Sequence, residues 1–250
     1  MKNLMAFTLA VAGTLAGFGA STTIDSINTM GVLKVDTKAG EKTLLNVPWT
    51  KLGSETDVPI PVSEYVSAGK VEDFDTLSIY QPSNAKFDGW WWDDVGKYWE
   101  GQTSLTEDFQ LNRGDALLLE TEQDAHVWLI GQYTTNTAVS TLVRDASKEV
   151  STQLANPLIE NLDLSGSVTG CIDGDQFYVI GAATETRYFY KDGEGWGVYE
   201  TTTSTDIFGR TSTKTEFKKV ATATVPACAG IWYISKPGSE EPKISWKSAK

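Results

Sequence analysis

Short runs in which apolar and polar residues alternate recur along the chain. Thr76-Leu77-Ser78-Ile79-Tyr80 and Gln176-Phe177-Tyr178-Val179-Ile180 are two of them, each entered from an acidic turn, Glu72-Asp73-Phe74-Asp75 and Ile172-Asp173-Gly174-Asp175. A period of two puts successive side chains on opposite faces of a strand. Aromatic runs split by a polar turn add hairpins: Trp90-Trp91-Trp92 leads through Asp93-Asp94-Val95-Gly96 to Tyr98-Trp99, and Tyr188-Phe189-Tyr190 leads through Asp192-Gly193 to Trp196 and Tyr199. No stretch reads as a long amphipathic helix, and single helical turns are expected only at 61–66 and 158–162. The pattern predicts an all-β chain.

The pattern also occurs twice. Segment 31–49 lies over 140–158 at a constant offset of 109, matching Asp36 with Asp145, Thr43 with Thr152, Leu45 with Leu154 and Pro48 with Pro157. Segment 72–80 lies over 172–180 at an offset of 100, the two aromatic hairpins follow, 111–119 lies over 225–233 at 114, and 125–129 and 242–246 each supply a closing strand. Five matches in one order predict an internal duplication. The first copy is longer by about nine residues around 53–61, and the second gains 14 in the Thr/Ser-rich segment 201–215; insertions of this kind belong on surface loops. The expected organisation is a leader at 1–20, one β unit at 21–132 and a second at 133–247. The units should be antiparallel, sandwich- or barrel-like, and packed side by side, because no linker separates them.

Several of these motifs together resemble uncharacterised exported bacterial proteins with tandem β repeats. They are Asn156-Pro157, the turn Asp173-Gly174-Asp175-Gln176, the hairpin Tyr190-Lys191-Asp192-Gly193-Glu194-Gly195-Trp196 and the turn Leu111-Asn112-Arg113-Gly114-Asp115. The resemblance covers nearly all of the chain after the leader. It implies a repeated β architecture, no catalytic residue and no established ligand. The chain departs from the pattern at Asn46-Val47-Pro48, and at Cys228, which stands where the first copy has Gly114.

The N-terminus refines the picture. Lys2, the apolar segment 4–15 and the small residues around Gly17, Gly19 and Ala20 have the order of a secretory signal peptide. Its apolar core is shorter than the ~20 residues that span a bilayer, and no later segment is long and apolar enough to do so. The mature chain is therefore expected in the periplasm, at the cell surface or outside the cell. Losing the leader removes Lys2 and leaves 20 basic against 33 acidic residues, a field that disfavours nucleic acid. In an oxidising compartment Cys171 and Cys228, the only cysteines, are expected to pair.

Chemistry is sparse. His126 is the sole histidine and is expected at an exposed strand edge, so a hydrolase triad or a zinc site has no foothold. No Gly-rich phosphate loop is present, and no cofactor is expected. Asp73/Asp75, Asp173/Asp175, Asp93/Asp94 and Asp192/Glu194 are carboxylate pairs, but they sit in turns, where Asp bonds nearby backbone amides. Asp173 and Asp175 offer hard oxygens for calcium without the full EF-hand loop.

The strongest candidate site is the 90–99 hairpin, which holds four of the nine tryptophans. Trp90, Trp91, Trp92 and Trp99, with Asp93, Asp94 and Glu100, form a set in which exposed rings would stack on a sugar and carboxylates would accept its hydroxyls. The same rings would equally serve as cross-strand pairs that cap a core. The expectation is a non-enzymatic exported protein with a structural, adhesive or assembly role at the envelope, its partner a glycan or another envelope protein. The alternatives are a carbohydrate-binding module using this hairpin and a glycoside-active enzyme whose carboxylate pair the sequence does not reveal.

Overall fold

The computed structural model describes residues 30–54, 56–101, 109–134, 136–158, 160–180, 186–205 and 208–247, together with the backbone of 7–10. They divide into two compact units, Met1–Ala138 and Val139–Lys250. Most of the expected leader, including its cleavage zone, lies outside the described residues.

Unit 1 runs β1 (Phe7–Ala10), β2 (Met30–Thr37), β3 (Lys42–Asn46), β4 (Ile60–Pro61), the helical turn α1 (Val62–Tyr65), β5 (Val66–Lys70), β6 (Thr76–Gln81), β7 (Lys86–Asp93), β8 (Tyr98–Gly101), β9 (Gln110–Leu111), β10 (Ala116–Glu120) and β11 (Ala125–Gln132). One sheet has the order β1-β2-β11-β5, a second has β3-β10-β6-β7-β8, and β4 pairs with β9. β1 lies parallel to β2; the other pairings are antiparallel. Both large sheets are open, and alternate residues turn inward as the period of two predicts. Val127 and Leu129 from the first sheet meet Leu77, Trp90, Leu117 and Leu119 from the second in one core. Each such side chain contributes roughly 1.5–3 kcal/mol of burial free energy.

Unit 2 runs β12 (Ala138–Thr141), β13 (Val150–Ala155), β14 (Leu162–Asp163), α2 (Leu164–Ser167), β15 (Val168–Thr169), β16 (Gln176–Ile180), β17 (Thr186–Lys191), β18 (Gly195–Thr205), β19 (Thr211–Lys219), β20 (Thr224–Val225), β21 (Gly230–Ser235) and β22 (Lys243–Trp246). Its sheets have the orders β12-β22-β15, β13-β21-β16-β17-β18-β19 and β14-β20. With β1 and β19 set aside, every element of unit 1 has a counterpart in unit 2 with the same neighbours. The register matches as well. Leu45, Leu117 and Ile79 stand side by side on β3, β10 and β6, and Leu154, Ile231 and Val179 stand side by side on β13, β21 and β16.

The segment 201–215 is where unit 2 departs from this plan. Here β18 and β19 extend as an exposed two-stranded arm, paired from Gly197↔Lys219 to Thr205↔Thr211. Hydroxyls bridge its strands at Thr201–Thr215 (3.0 Å) and Ser204–Ser212 (2.8 Å).

Three local expectations are corrected. The second helical turn is at Leu164–Ser167, after the 158–162 window, because the Asp163 carboxylate caps it by accepting from the Ser165 amide at 2.9 Å. His126 is not at a sheet edge. It lies half-buried on β11, between β2 and β5, and its ring occupies the space over Gly69, where a Cβ would fall 2.2 Å from it.

The third correction concerns the cysteines, neither of which is in a disulfide. The Cys171 sulfur sits 4.0 Å from the Tyr233 hydroxyl, and that of Cys228 sits 3.9 Å from the Leu158 carbonyl. Three steps of β21, about 10 Å at ~3.4 Å per residue, separate Tyr233 from Gly230 beside the Cys228 turn. A disulfide needs Cα atoms about 4.4–6.8 Å apart. Oxidising surroundings and an even count say nothing about that distance. Burial, reinforced by Asp175, pushes the Cys171 thiol up to about 12. Cys228 is exposed, and its backbone is left-handed (φ 58°) like that of its counterpart Gly114 (φ 93°). A maleimide should therefore label Cys228 in the folded protein and Cys171 only after denaturation, and reductant should leave the mass unchanged. A mass two units lower before reduction than after it would restore the disulfide.

Candidate functional site

The aromatic hairpin is β7 and β8, with Trp91 opposite Glu100 and Trp92 opposite Trp99. Its turn is held by Asp93, whose carboxylate accepts the amides of Val95 (2.8 Å) and Gly96 (3.0 Å). The amide of Asp94 donates to the Asp73 carboxylate at 3.1 Å, tying this turn to the acidic turn before β6. Of the seven candidate residues, three are core: Trp90, Trp92 and Trp99 are 0%, 6% and 2% exposed. Trp92 and Trp99 meet edge-on at 5.3 Å, and the Trp99 indole donates to the Val66 carbonyl at 3.1 Å, joining the edge strands of the two sheets. Trp91 alone faces outward, half-buried, its indole donating to Glu100 at 2.7 Å. In unit 2, Tyr190 and Trp196 repeat the edge-on pair at 5.3 Å. The indole stack is therefore common scaffold, and the three consecutive tryptophans do not form one exposed platform.

What the hairpin does create is a cleft of about 500 Å³ between itself and β5. Ser67, Ala68 and Gly69 form one wall, Trp92 and Trp99 contribute aromatic surface, and Asp94, Lys97 and Tyr98 stand at the hairpin side. β5 is the last strand of its sheet, and the outward-facing carbonyl of Val66 is taken by Trp99. In an antiparallel strand every second residue turns both its N–H and its C=O to the same side. By this alternation from Val66, and ahead of the register shift that follows at Gly69, the backbone pair of Ala68, a lining residue, falls on the cleft side. Among the described lining residues Asp94 is the one carboxylate; it pairs with Lys97 at 2.6 Å, and that contact together with the Trp92 indole holds it below the usual carboxylate range. This is opposite to the shift of a general acid, and the described lining residues supply no second carboxylate.

The other acidic pairs are structural. Asp75 accepts the amides of Glu72 (2.8 Å) and Glu122 (3.0 Å). Asp175, its counterpart, is fully buried and accepts from Ile172 N (3.0 Å), Lys236 N (2.8 Å) and the Tyr233 hydroxyl (2.5 Å), and it forms an ion pair with Arg144. The calcium reading fails here because Asp175 has no oxygen left to give, and Asp173 accepts the Asp192 amide at 3.2 Å. Among the described residues no group of three or more His, Cys, Asp or Glu is arranged to hold a metal.

Compared with known protein families, curated proteins and solved structures, the chain shows no significant match. Its own two units are then the most informative comparison. Arg144 occupies the place of Val35 and Tyr233 that of Leu119, at the offsets of 109 and 114. A charge and a hydroxyl at positions that are apolar in the other copy were the signal for the buried network, and strand alternation by itself does not register it. The open edge at Ala68 left no sequence signal, since an edge is a property of strand order.

Proposed function

We propose that this is an exported, non-catalytic protein of two copies of one β-sandwich unit, and that it works by assembly, taking an extended segment of another envelope protein as an added strand along β5. The observation that carries the reading is the open edge at Ala68 beside an aromatic floor. Strand addition draws affinity from backbone hydrogen bonds and specificity from pockets for alternate side chains, and the cleft supplies both. The matching connectivity of the two units supports a duplicated module, and the resemblance to exported tandem-β proteins agrees with it. Of its four tryptophans, the carbohydrate reading of the hairpin keeps Trp91 alone as an outward ring, already bonded to Glu100, which leaves it little support.

A phage-displayed random peptide library panned on the mature protein should enrich sequences with alternating apolar residues. Ala68→Pro removes the outward N–H and bars a strand from that edge, so it should reduce capture of the enriched peptides at least tenfold, while Trp91→Ala should leave it unchanged. Equal capture by Ala68→Pro, or no enrichment at all, would count against strand addition.

A further inference from the structure

The outward face of the large sheet in unit 2 carries a row that unit 1 lacks. Arg187, Tyr178, Trp232 and Gln153 stand side by side on β17, β16, β21 and β13. Their neighbours in sequence, Phe177, Val179, Ile231 and Tyr233, are 0–1% exposed, so Tyr178 and Trp232 turn away from the core. The corresponding row in unit 1 is Gly89, Ser78, Leu118 and Leu44. The fold thus needs no ring, guanidinium or amide at these positions, and unit 2 carries all of them.

Three residues of the unit 2 row, Tyr178, Trp232 and Arg187, line a depression of about 270 Å³ together with Ser151 and Ile234 from the next row. Its volume lies just under the ~300–1,000 Å³ of sites for drug-sized ligands, which suits one or two small rings and not a folded partner. Two polar atoms on this face are unsatisfied: the side-chain carbonyls of Gln153 and Gln176 are buried and accept no hydrogen bond. Gln153 is 8% exposed and stands next to Trp232. A buried acceptor of this kind costs about 1–3 kcal/mol unless something donates to it. At the other end of the row the Arg187 guanidinium lies 5.6 Å from the Phe189 ring, and among the described residues it has no carboxylate partner.

We propose that this depression is a binding site for a short saccharide bearing a carboxylate. Tyr178 and Trp232 offer a platform for the apolar face of a pyranose. Arg187 matches the planar carboxylate with two parallel donors. The Ser151 hydroxyl in the lining can bond a ring hydroxyl. The net charge of -12 on the chain repels long polyanions, so the fitting ligand is one or two residues long, its acid group seated on the local cation. The site is separate from the β5 cleft and stands or falls independently of it.

Calorimetric titration with digalacturonate, and with neutral galactobiose as the comparison, tests the proposal. Digalacturonate should bind, and galactobiose should bind at least tenfold more weakly. Trp232→Ala should abolish binding of both. Arg187→Gln should reduce digalacturonate binding at least tenfold and bring the two sugars level. Both substituted side chains face outward, so the melting temperature should hold, and Trp91→Ala in unit 1 should bind as the parent does. No heat with digalacturonate, equal affinity of the parent for the two sugars, or full binding by a folded Trp232→Ala variant would each overturn it.

Discussion

Replacing Asp175 with alanine will destabilise unit 2 by roughly 3–5 kcal/mol, the cost of stripping one partner from a buried ion pair. Arg144 and Asp175 have side chains 1% and 0% exposed, so neither charge is relieved by water when the other is removed. The substitution also orphans the Tyr233 hydroxyl and the amides of Ile172 and Lys236. The guanidinium begins poorly served, with Nε and Nη1 already lacking partners. At ~4–8 °C per kcal/mol for a unit of this size, the unit 2 transition should fall by at least about 12 °C in calorimetry. The double variant Arg144→Val with Tyr233→Leu rebuilds the unit 1 arrangement around the acid, and it should cost less than the single substitution. A double variant as damaged as Asp175→Ala would show that the network is not a replaceable addition to a common fold.

Trp99→Ala should destabilise unit 1 by roughly 3–5 kcal/mol, the range for truncating a large buried aromatic. Trp99 is 2% exposed, packs on Trp92 and holds the Val66 carbonyl, so the loss combines a cavity with a broken tie between sheets. Trp91→Ala, one residue of the same motif but outward, should cost under about 1 kcal/mol. Urea denaturation of the two variants separates core from surface within a single hairpin. Similar losses would mean that the outward face carries as much of the fold as the inward one.

That contrast shows where sequence reasoning stops. Alternation assigns Trp90 and Trp92 to one face and Trp91 to the other, because strand geometry fixes that division. It does not say which face is inward, since a run of three indoles has no polar side to decide it. The all-β class was legible for the same geometric reason, and so were the hairpins, whose Asp and Gly turns have local causes. Compartment and count favour a cysteine pair, but they constrain chemistry and not separation. Arg144 gives no such sign, because a charge beside alternating residues reads as surface until the matching Val35 shows that the position points inward. The depression on unit 2 was hidden for another reason: Tyr178, Arg187 and Trp232 lie on three strands, at sequence separations that carry no local pattern.

The first and last strands of the unit 1 core have a further consequence. β2 and β11 are antiparallel neighbours, with Met30 opposite Gln132 at one end and Thr37 opposite Ala125 at the other, and β12 and β22 are neighbours in unit 2. The chain thus enters and leaves the unit 1 core at adjacent points, so such a unit can be strung in tandem without rerouting its interior. The same arrangement sets its response to tension. A pull on the two ends falls on the Met30–Gln132 rung first and then on each rung in turn, so the unit opens like a zipper at modest force, whereas strands loaded in shear would resist with all their rungs together.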